Sequence, residues 1–250
     1  GNFLVVTYRE LRLLDIEIIR KKYRNKSQLI TDSGVLTNVP LYNFYGYEID
    51  PTSAMIAEVA MWLTQHQMNM RLESEFGKAV PTIPLDEAAN IENCNALHKN
   101  WEAKKKFIKG KGDITGVFDY ILGNPPFVGK QYQTEEQKKD ISYIFKGVSG
   151  AGVLDYVACW YIKAAEYMKK QPTTRTALVS TNSIAQGEQT GILWNELFKR
   201  YKVKIHFAHQ TFKWHNEADG VAAVHCVVIG FGKENIKEKY IFEYKDIKGE

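Results

Sequence analysis

Phe118-Asp119-Tyr120-Ile121-Leu122-Gly123-Asn124-Pro125-Pro126-Phe127 decides how the rest of the chain is read. Residues 117–123 form an apolar run of strand length, and the Asn-Pro and Pro-Pro pairs behind it are turn signals. The Asn124 side chain carries a carbonyl acceptor, and two successive prolines fix the backbone while removing two N–H donors, so nearby carbonyls are left to face a ligand. Phe127 adds a flat apolar face. These parts suit a planar amino group on a heteroaromatic ring, such as that of adenine. The plainer alternative is a strand followed by a rigid turn.

The flanking sequence supplies the elements around this strand. Leu4, Tyr8, Leu11, Leu14 and Ile18 recur at helical spacing, so residues 3–23 are expected to form a helix with these side chains on one face. Asn43–Asp50 reads as a strand, and Pro51 with Thr52 or Ser53 starts a helix. That helix runs to about Glu75, with Ile56, Val59, Ala60 and Leu63 on its apolar side. Residues 91–97 suggest a short strand. Beyond the motif come a polar helix at 133–146 and a more apolar one at 153–170, with Tyr156, Trp160, Ala164 and Tyr167 on one side. A strand at 176–181, a helix at 188–200, strands at 203–209 and 221–231, and one more at 240–244 complete the reading. Strands alternating with helices argue for an α/β sheet with helices on both faces. Ligands in such sheets bind beyond the carboxyl ends of strands. Residues 48–50 and 124–127 both fall there.

Composition narrows the class. A chain of 250 residues with 44% hydrophobic and 25% charged side chains has ample material for a soluble core. A net charge of +4 permits an anionic partner without requiring one. No apolar run is long enough for a bilayer and no signal-peptide pattern is present, so a cytoplasmic location is the default. Cys94, Cys159 and Cys226 are far apart and odd in number, which reads as reduced thiols in or near the core. The six histidines carry no HxxxH spacing, so no metal is expected.

Glu48-Ile49-Asp50-Pro51 closes the first expected strand. A carboxylate there can accept both hydroxyls of a ribose, or it can simply sit near the following helix N-terminus, where the helix dipole favours negative charge. Gly46-Tyr47-Glu48-Ile49-Asp50-Pro51, a further short strand, and then Phe118 through Phe127, in that order, resemble the class I S-adenosylmethionine-dependent DNA adenine-N6 methyltransferases. Val128-Gly129-Lys130 behind the motif is similar to the large single-chain restriction–modification enzymes of the MmeI type. So is Phe212-Lys213-Trp214-His215-Asn216-Glu217-Ala218 ahead of the apolar run 221–231. The resemblance covers residues 1–232.

It implies a Rossmann-like methyltransferase sheet, S-adenosyl-L-methionine as cofactor and double-stranded DNA as partner. Residues 1–232 would be the catalytic domain and 233–250 the lead-in to a target-recognition domain. In that family the opening helix follows a strand and a loop reading Asp-Pro-Ala-Cys-Gly-Ser-Gly-Asn-Phe-Leu. This chain opens Gly1-Asn2-Phe3-Leu4, so the resemblance implies that the first strand and most of the loop are missing. Weak or no cofactor binding by this stretch alone is the corresponding expectation. Gly1 and Phe3 would be the remainder of the loop. Glu48 would take the ribose hydroxyls, with Asp50 as substitute and Ile49 beside it. Asn95 and Ala96 would border the cofactor adenine, at a point where the family often has Asp in place of Asn95.

For the acceptor, the resemblance assigns catalysis to Asn124, Pro125, Pro126 and Phe127. Phe212 would be a second contact to a flipped base, with Trp214 in reserve, and Lys130 and Gln131 would touch DNA nearby. Lys104-Lys105-Lys106, Lys109 and Lys111 could meet phosphates or form a solvated loop, and Arg20-Lys21-Lys22 and Arg24 suit a helix C-terminus. Two rivals remain open. One is the same fold acting on a release-factor glutamine or an RNA base. The other is a non-catalytic DNA-specificity module, against which the intact Asn124–Phe127 motif speaks.

Overall fold

The computed structural model describes residues 1–23, 37–76, 89–101, 116–214 and 224–246. The lysine cluster at 104–111, Arg24 and residues 215–223 lie outside the described residues, as does the side chain of Trp214. The chain divides into two compact units, Gly1–Lys99 and Asn100–Glu250.

The first unit contains α1 (Asn2–Tyr23), β1 (Tyr45–Glu48), α2 (Pro51–Phe76) and β2 (Asn90–Asn93). β1 and β2 pair in parallel, from Tyr45 opposite Asn90 to Glu48 opposite Asn93. Parallel neighbours need a crossover connection, and α2 lies within it. α2 starts where its sequence says it should. Pro51 occupies the first helical position and the Asp50 carboxylate accepts the Ser53 backbone N–H at 2.6 Å, satisfying a donor that the helix itself leaves orphaned.

The buried faces of both helices differ from those expected. On α1 the buried side chains are Tyr8, Arg12, Asp15, Ile16 and Ile19, while Leu11, Leu14 and Ile18 are exposed. On α2 the buried line runs Ala54, Ala57, Met61, Thr64, Gln65, Met68 and Leu72, leaving Ile56, Val59 and Leu63 outside. On α2, small and polar residues (Ala54, Ala57, Thr64 and Gln65) share the inner line with Met61, Met68 and Leu72. A Cβ added at Gly1 would stand 3.0 Å from Ala57 Cβ. Most of the polar groups are paired: Arg12 donates to Asn69 Oδ1 at 3.0 Å, although its buried Nε has no partner among the described residues, and the Asp15 carboxylate accepts from Thr37 Oγ1, the Asn38 backbone N–H and Asn38 Nδ2. Tyr8, Leu41, Phe44, Met61, Met68 and Ala89 form the apolar centre, with Tyr8 edge-on to Phe44.

The second unit is built on a five-stranded mixed sheet of β3 (Tyr120–Gly123), β4 (Arg175–Thr181), β5 (Lys204–Trp214), β6 (Val224–Gly232) and β7 (Tyr240–Phe242). Their order is β3-β4-β6-β5-β7. β3 and β4 are parallel, β6 is antiparallel to both β4 and β5, and β7 is parallel to β5. β3, β4, β5 and β7 therefore point the same way, and their carboxyl ends share one edge.

Three helices accompany this sheet: α3 (Glu135–Ile144), α4 (Ala158–Lys170) and α5 (Glu188–Asn195). A capping box between Thr134 and Gln137 starts α3. α4 lies against the sheet through Tyr161, whose ring stacks on Phe231 of β6 and whose hydroxyl bonds Ser180 of β4 at 2.7 Å. The helix expected to run unbroken over 188–200 changes to a π-helical turn at Glu196–Arg200. On β6, Gly230 is fixed by close approach, since a Cβ there would lie 2.1 Å from the Phe207 ring of β5. The alternating α/β architecture is thus as expected, with the strands divided between a two-stranded and a five-stranded sheet.

Candidate active site

The residues expected to hold the cofactor all belong to the first unit, and Glu48, Ile49, Asn95 and Ala96 lie at or just after the carboxyl ends of β1 and β2. Gly1 precedes α1 and Phe3 lies in its first turn, and a Cβ at Gly46 of β1 would stand 3.0 Å from Leu4 Cδ1 of that helix. Glu48 ends β1, and the turn after it is held by β2. The Glu48 carbonyl accepts from the Cys94 backbone N–H at 2.8 Å and from Asn93 Nδ2 at 3.0 Å, and the Ile49 carbonyl also accepts from Asn93 Nδ2. The two nearby carboxylates differ in duty. Asp50 caps α2, and those hydrogen bonds from Ser53 hold its carboxyl below the usual range. Glu48 has a half-buried side chain and accepts the Asp50 backbone N–H at 3.2 Å. Asn95 uses its side-chain carbonyl to cap the short turn Ala96–His98 through the Leu97 N–H at 2.9 Å. A carbonyl oxygen has two lone pairs, so one acceptor position remains.

The expected acceptor residues belong to the second unit. Pro125 is buried behind β3 and anchors the motif, whereas Asn124 and Pro126 are exposed and Phe127 is half-buried. Among the described residues the Asn124 amide makes no hydrogen bond. The chain leaving the motif is strapped down. The Val128 carbonyl accepts from the Tyr156 backbone N–H at 2.9 Å and from Gln133 Nε2 at 3.3 Å, and Gln133 Nε2 also reaches the Leu154 carbonyl at 2.9 Å. Lys130 and Gln131 follow on the exposed turn Lys130–Tyr132.

Phe212 lies near the carboxyl end of β5, where the pairing with β6 is irregular between His209 and Phe212. Its ring packs edge-on against Tyr244 at 5.5 Å. Tyr244 in turn bonds His209 Nδ1 at 2.7 Å, and His209 stacks on Phe242 at 4.5 Å. Phe212 is thus half-buried and joined to an aromatic cluster that the sequence did not announce. Burial lowers the His209 pKa below its ordinary value. The buried thiols of Cys159 and Cys226 are pushed upward by desolvation, Cys226 to about 11, so neither is a ready nucleophile.

A second set of side chains escaped sequence reading. Asp155, Thr181, Ser183 and Gln189 converge beside the strap at Val128. Asp155 and Gln189 are 34 positions apart, and of the four only Asp155 is touched by the resemblance, which sets it with Tyr156 in the region that borders the cofactor adenine in the family. Among the described residues no group of three or more His, Cys, Asp and Glu side chains is placed to hold a metal, and no helix is long and apolar enough to cross a membrane.

A mixed α/β sheet whose strand ends present a free amide in a rigid proline turn has the form of a methyltransferase domain. The family model for the MmeI DNA-methyltransferase domain matches residues 1–243, and the chain belongs to that family. It is 39% identical over 244 residues to DNA methyltransferase A of Bacillus subtilis (strain 168), covering 97% of this chain and 26% of that protein. It also matches the structure of the type IIL restriction–modification enzyme MmeI in complex with DNA, at 48% identity and a TM-score of 0.87, over 100% of this chain and 32% of that one. The type IIG restriction endonuclease BpuSI shares the fold at 13% identity and a TM-score of 0.50, over 96% of this chain and 26% of that one. The chain therefore spans about a quarter to a third of the length of these relatives.

Proposed function

We propose that this domain moves a methyl group from S-adenosyl-L-methionine to N6 of an adenine flipped out of duplex DNA, as the modification half of a bacterial restriction–modification protein. The observation that carries the reading is Asn124: an exposed side-chain amide without a hydrogen bond among the described residues, on a strand end anchored by buried Pro125.

Glu48 fits the cofactor. With Asp50 committed to α2, the Glu48 carboxylate keeps acceptor capacity for a ribose diol, beside Ile49. Gly1, Phe3, Asn95 and Ala96 would border the rest. When bound, S-adenosylmethionine supplies a sulfonium methyl as electrophile. The protein supplies orientation. The adenine amino lone pair is delocalised into the ring and attacks poorly. The Asn124 carbonyl and the Pro125 carbonyl accept its two hydrogens, which favours a pyramidal nitrogen with the lone pair directed outward for in-line displacement. Asn124 is too weak a base to remove the proton first, so the proton leaves after methyl arrival. Pro126 keeps the turn rigid. A paired adenine must leave the stack to reach such a site. Phe127 would stack on it, a contact worth roughly 1–3 kcal/mol, with Phe212 or Trp214 as a further contact and Lys130 and Gln131 on the neighbouring backbone.

Transfer of a tritiated methyl group by the full-length protein to duplex DNA, RNA and release factor tests the acceptor. Label in DNA is expected. Label confined to RNA or release factor overturns the assignment, and no label in any of the three favours a specificity module.

A further inference from the structure

We propose that Asp155 is a positioning residue for methyl transfer, locking the chain that leaves the Asn124–Phe127 motif to the carboxyl end of β4 and the first turn of α5. The inference rests on reading that motif as the acceptor site. Asp155 is only 8% exposed. Its Oδ2 accepts from Thr181 Oγ1 at 3.1 Å and Ser183 Oγ at 2.5 Å, and its Oδ1 accepts from Gln189 Nε2 at 3.1 Å. Gln189 grips the residue from both sides, since its Oε1 also accepts the Asp155 backbone N–H at 2.8 Å. The next residue, Tyr156, donates its backbone N–H to the Val128 carbonyl, and its hydroxyl reaches Asp140 Oδ2 of α3 at 2.6 Å. Gly129 lies nearby: a Cβ added there would stand in ordinary contact with Asp155 Oδ1, at 3.7 Å.

Among the described residues no ion pair involves Asp155. A buried carboxylate met only by hydroxyls and an amide is a poor device for stability, because desolvation offsets much of the hydrogen bonding. It is a good device for geometry. A carboxylate accepts only, so the two hydroxyls and the amide must turn toward it, and three segments distant in sequence acquire one arrangement. The strap is one residue from the motif: Val128 follows Phe127 directly. A displacement there of about 1 Å moves the acceptor groups relative to the target nitrogen, and misplacements of that size cost about 100-fold in rate.

The test uses the full-length protein and single-turnover transfer to adenine in duplex DNA at saturating cofactor and DNA, at one temperature well below the melting point of every variant. Asp155→Ala is expected to slow transfer about 100-fold, with the KM for S-adenosylmethionine and the Kd for DNA each within about threefold of wild type. Asp155→Asn keeps the oxygen facing Gln189 and is expected to recover about tenfold of that loss. Hydrogen exchange of peptide 154–160 should accelerate in Asp155→Ala, reporting release of the Tyr156 amide. Should Asp155→Ala fail to fold, Ser183→Ala and Gln189→Ala carry the test, each expected to slow transfer by about tenfold. Transfer within threefold of wild type in the folded variants refutes the inference alone, and so does a loss confined to KM. A wild-type protein that methylates no adenine refutes the acceptor assignment and the inference with it.

Discussion

Asn124 and Glu48 are single residues whose surroundings argue for ligands. Asn124 is exposed and makes no hydrogen bond among the described residues, so Asn124→Ala is expected to leave the melting temperature unchanged while lowering kcat by about 100-fold or more, the usual scale for deleting one preorganised polar contact to the reacting group. Glu48 and Asp50 are two residues apart and separable by experiment. Glu48→Ala in the full-length protein should raise the KM for S-adenosylmethionine by about tenfold or more. Asp50→Ala should leave that KM within about threefold and lower the melting temperature, because its carboxylate serves the start of α2. Equal effects of the two substitutions on KM would contradict this division. As a candidate, Asn124 was legible in the sequence because its motif is contiguous: a strand, a polar group and prolines lie within ten residues, 118–127. Asp155 was not legible as a hub, because its partners are separated by up to 34 residues and their convergence depends on where β4 ends.

Among the elements, the sheet of the second unit supplies its own tests. Gly230 accommodates the Phe207 ring, and Gly230→Ala would force that ring from its place, at a cost of about 1–3 kcal/mol read from denaturant unfolding. Burial beside Phe242 and Tyr244 lowers the His209 pKa below its ordinary value. With its native pKa depressed, its contribution to stability is fully present above the free-imidazole value of about 6.5 and is lost as pH falls below it, through the lowered native value. The melting temperature should therefore drop between pH 7.5 and 5.5 by more in wild type than in His209→Phe; equal drops would contradict the assignment. Strand and helix positions followed from alternation, turn residues and the Asp50-Pro51 start, all local signals. The inner faces of α1 and α2 did not. Leu11, Leu14 and Ile18 satisfy the helical period, yet they are exposed while Arg12 and Asp15 are buried, where Asn69, Thr37 and Asn38 bond them. Periodicity reports an apolar stripe, and partners elsewhere in the chain decide which stripe is covered. The π turn at Glu196–Arg200 likewise leaves no mark in spacing.

At the scale of the molecule, one unit carries the side chains proposed to hold the cofactor and the other those proposed to hold the acceptor amino group. The family match runs across both, through residue 243, and β7 at Tyr240–Phe242 lies inside it. The relatives are three to four times as long as this chain, as coverages of 32% and 26% require, so the proposed activity is best measured on the full-length protein. The most direct measurement is mass spectrometry of nucleosides from duplex DNA incubated with that protein and S-adenosylmethionine, for wild type and Asn124→Ala side by side. The wild type is expected to yield N6-methyl-2′-deoxyadenosine and the variant none above background. Methylation on cytosine instead, or equal N6-methyl-2′-deoxyadenosine from both proteins, would contradict the adenine assignment.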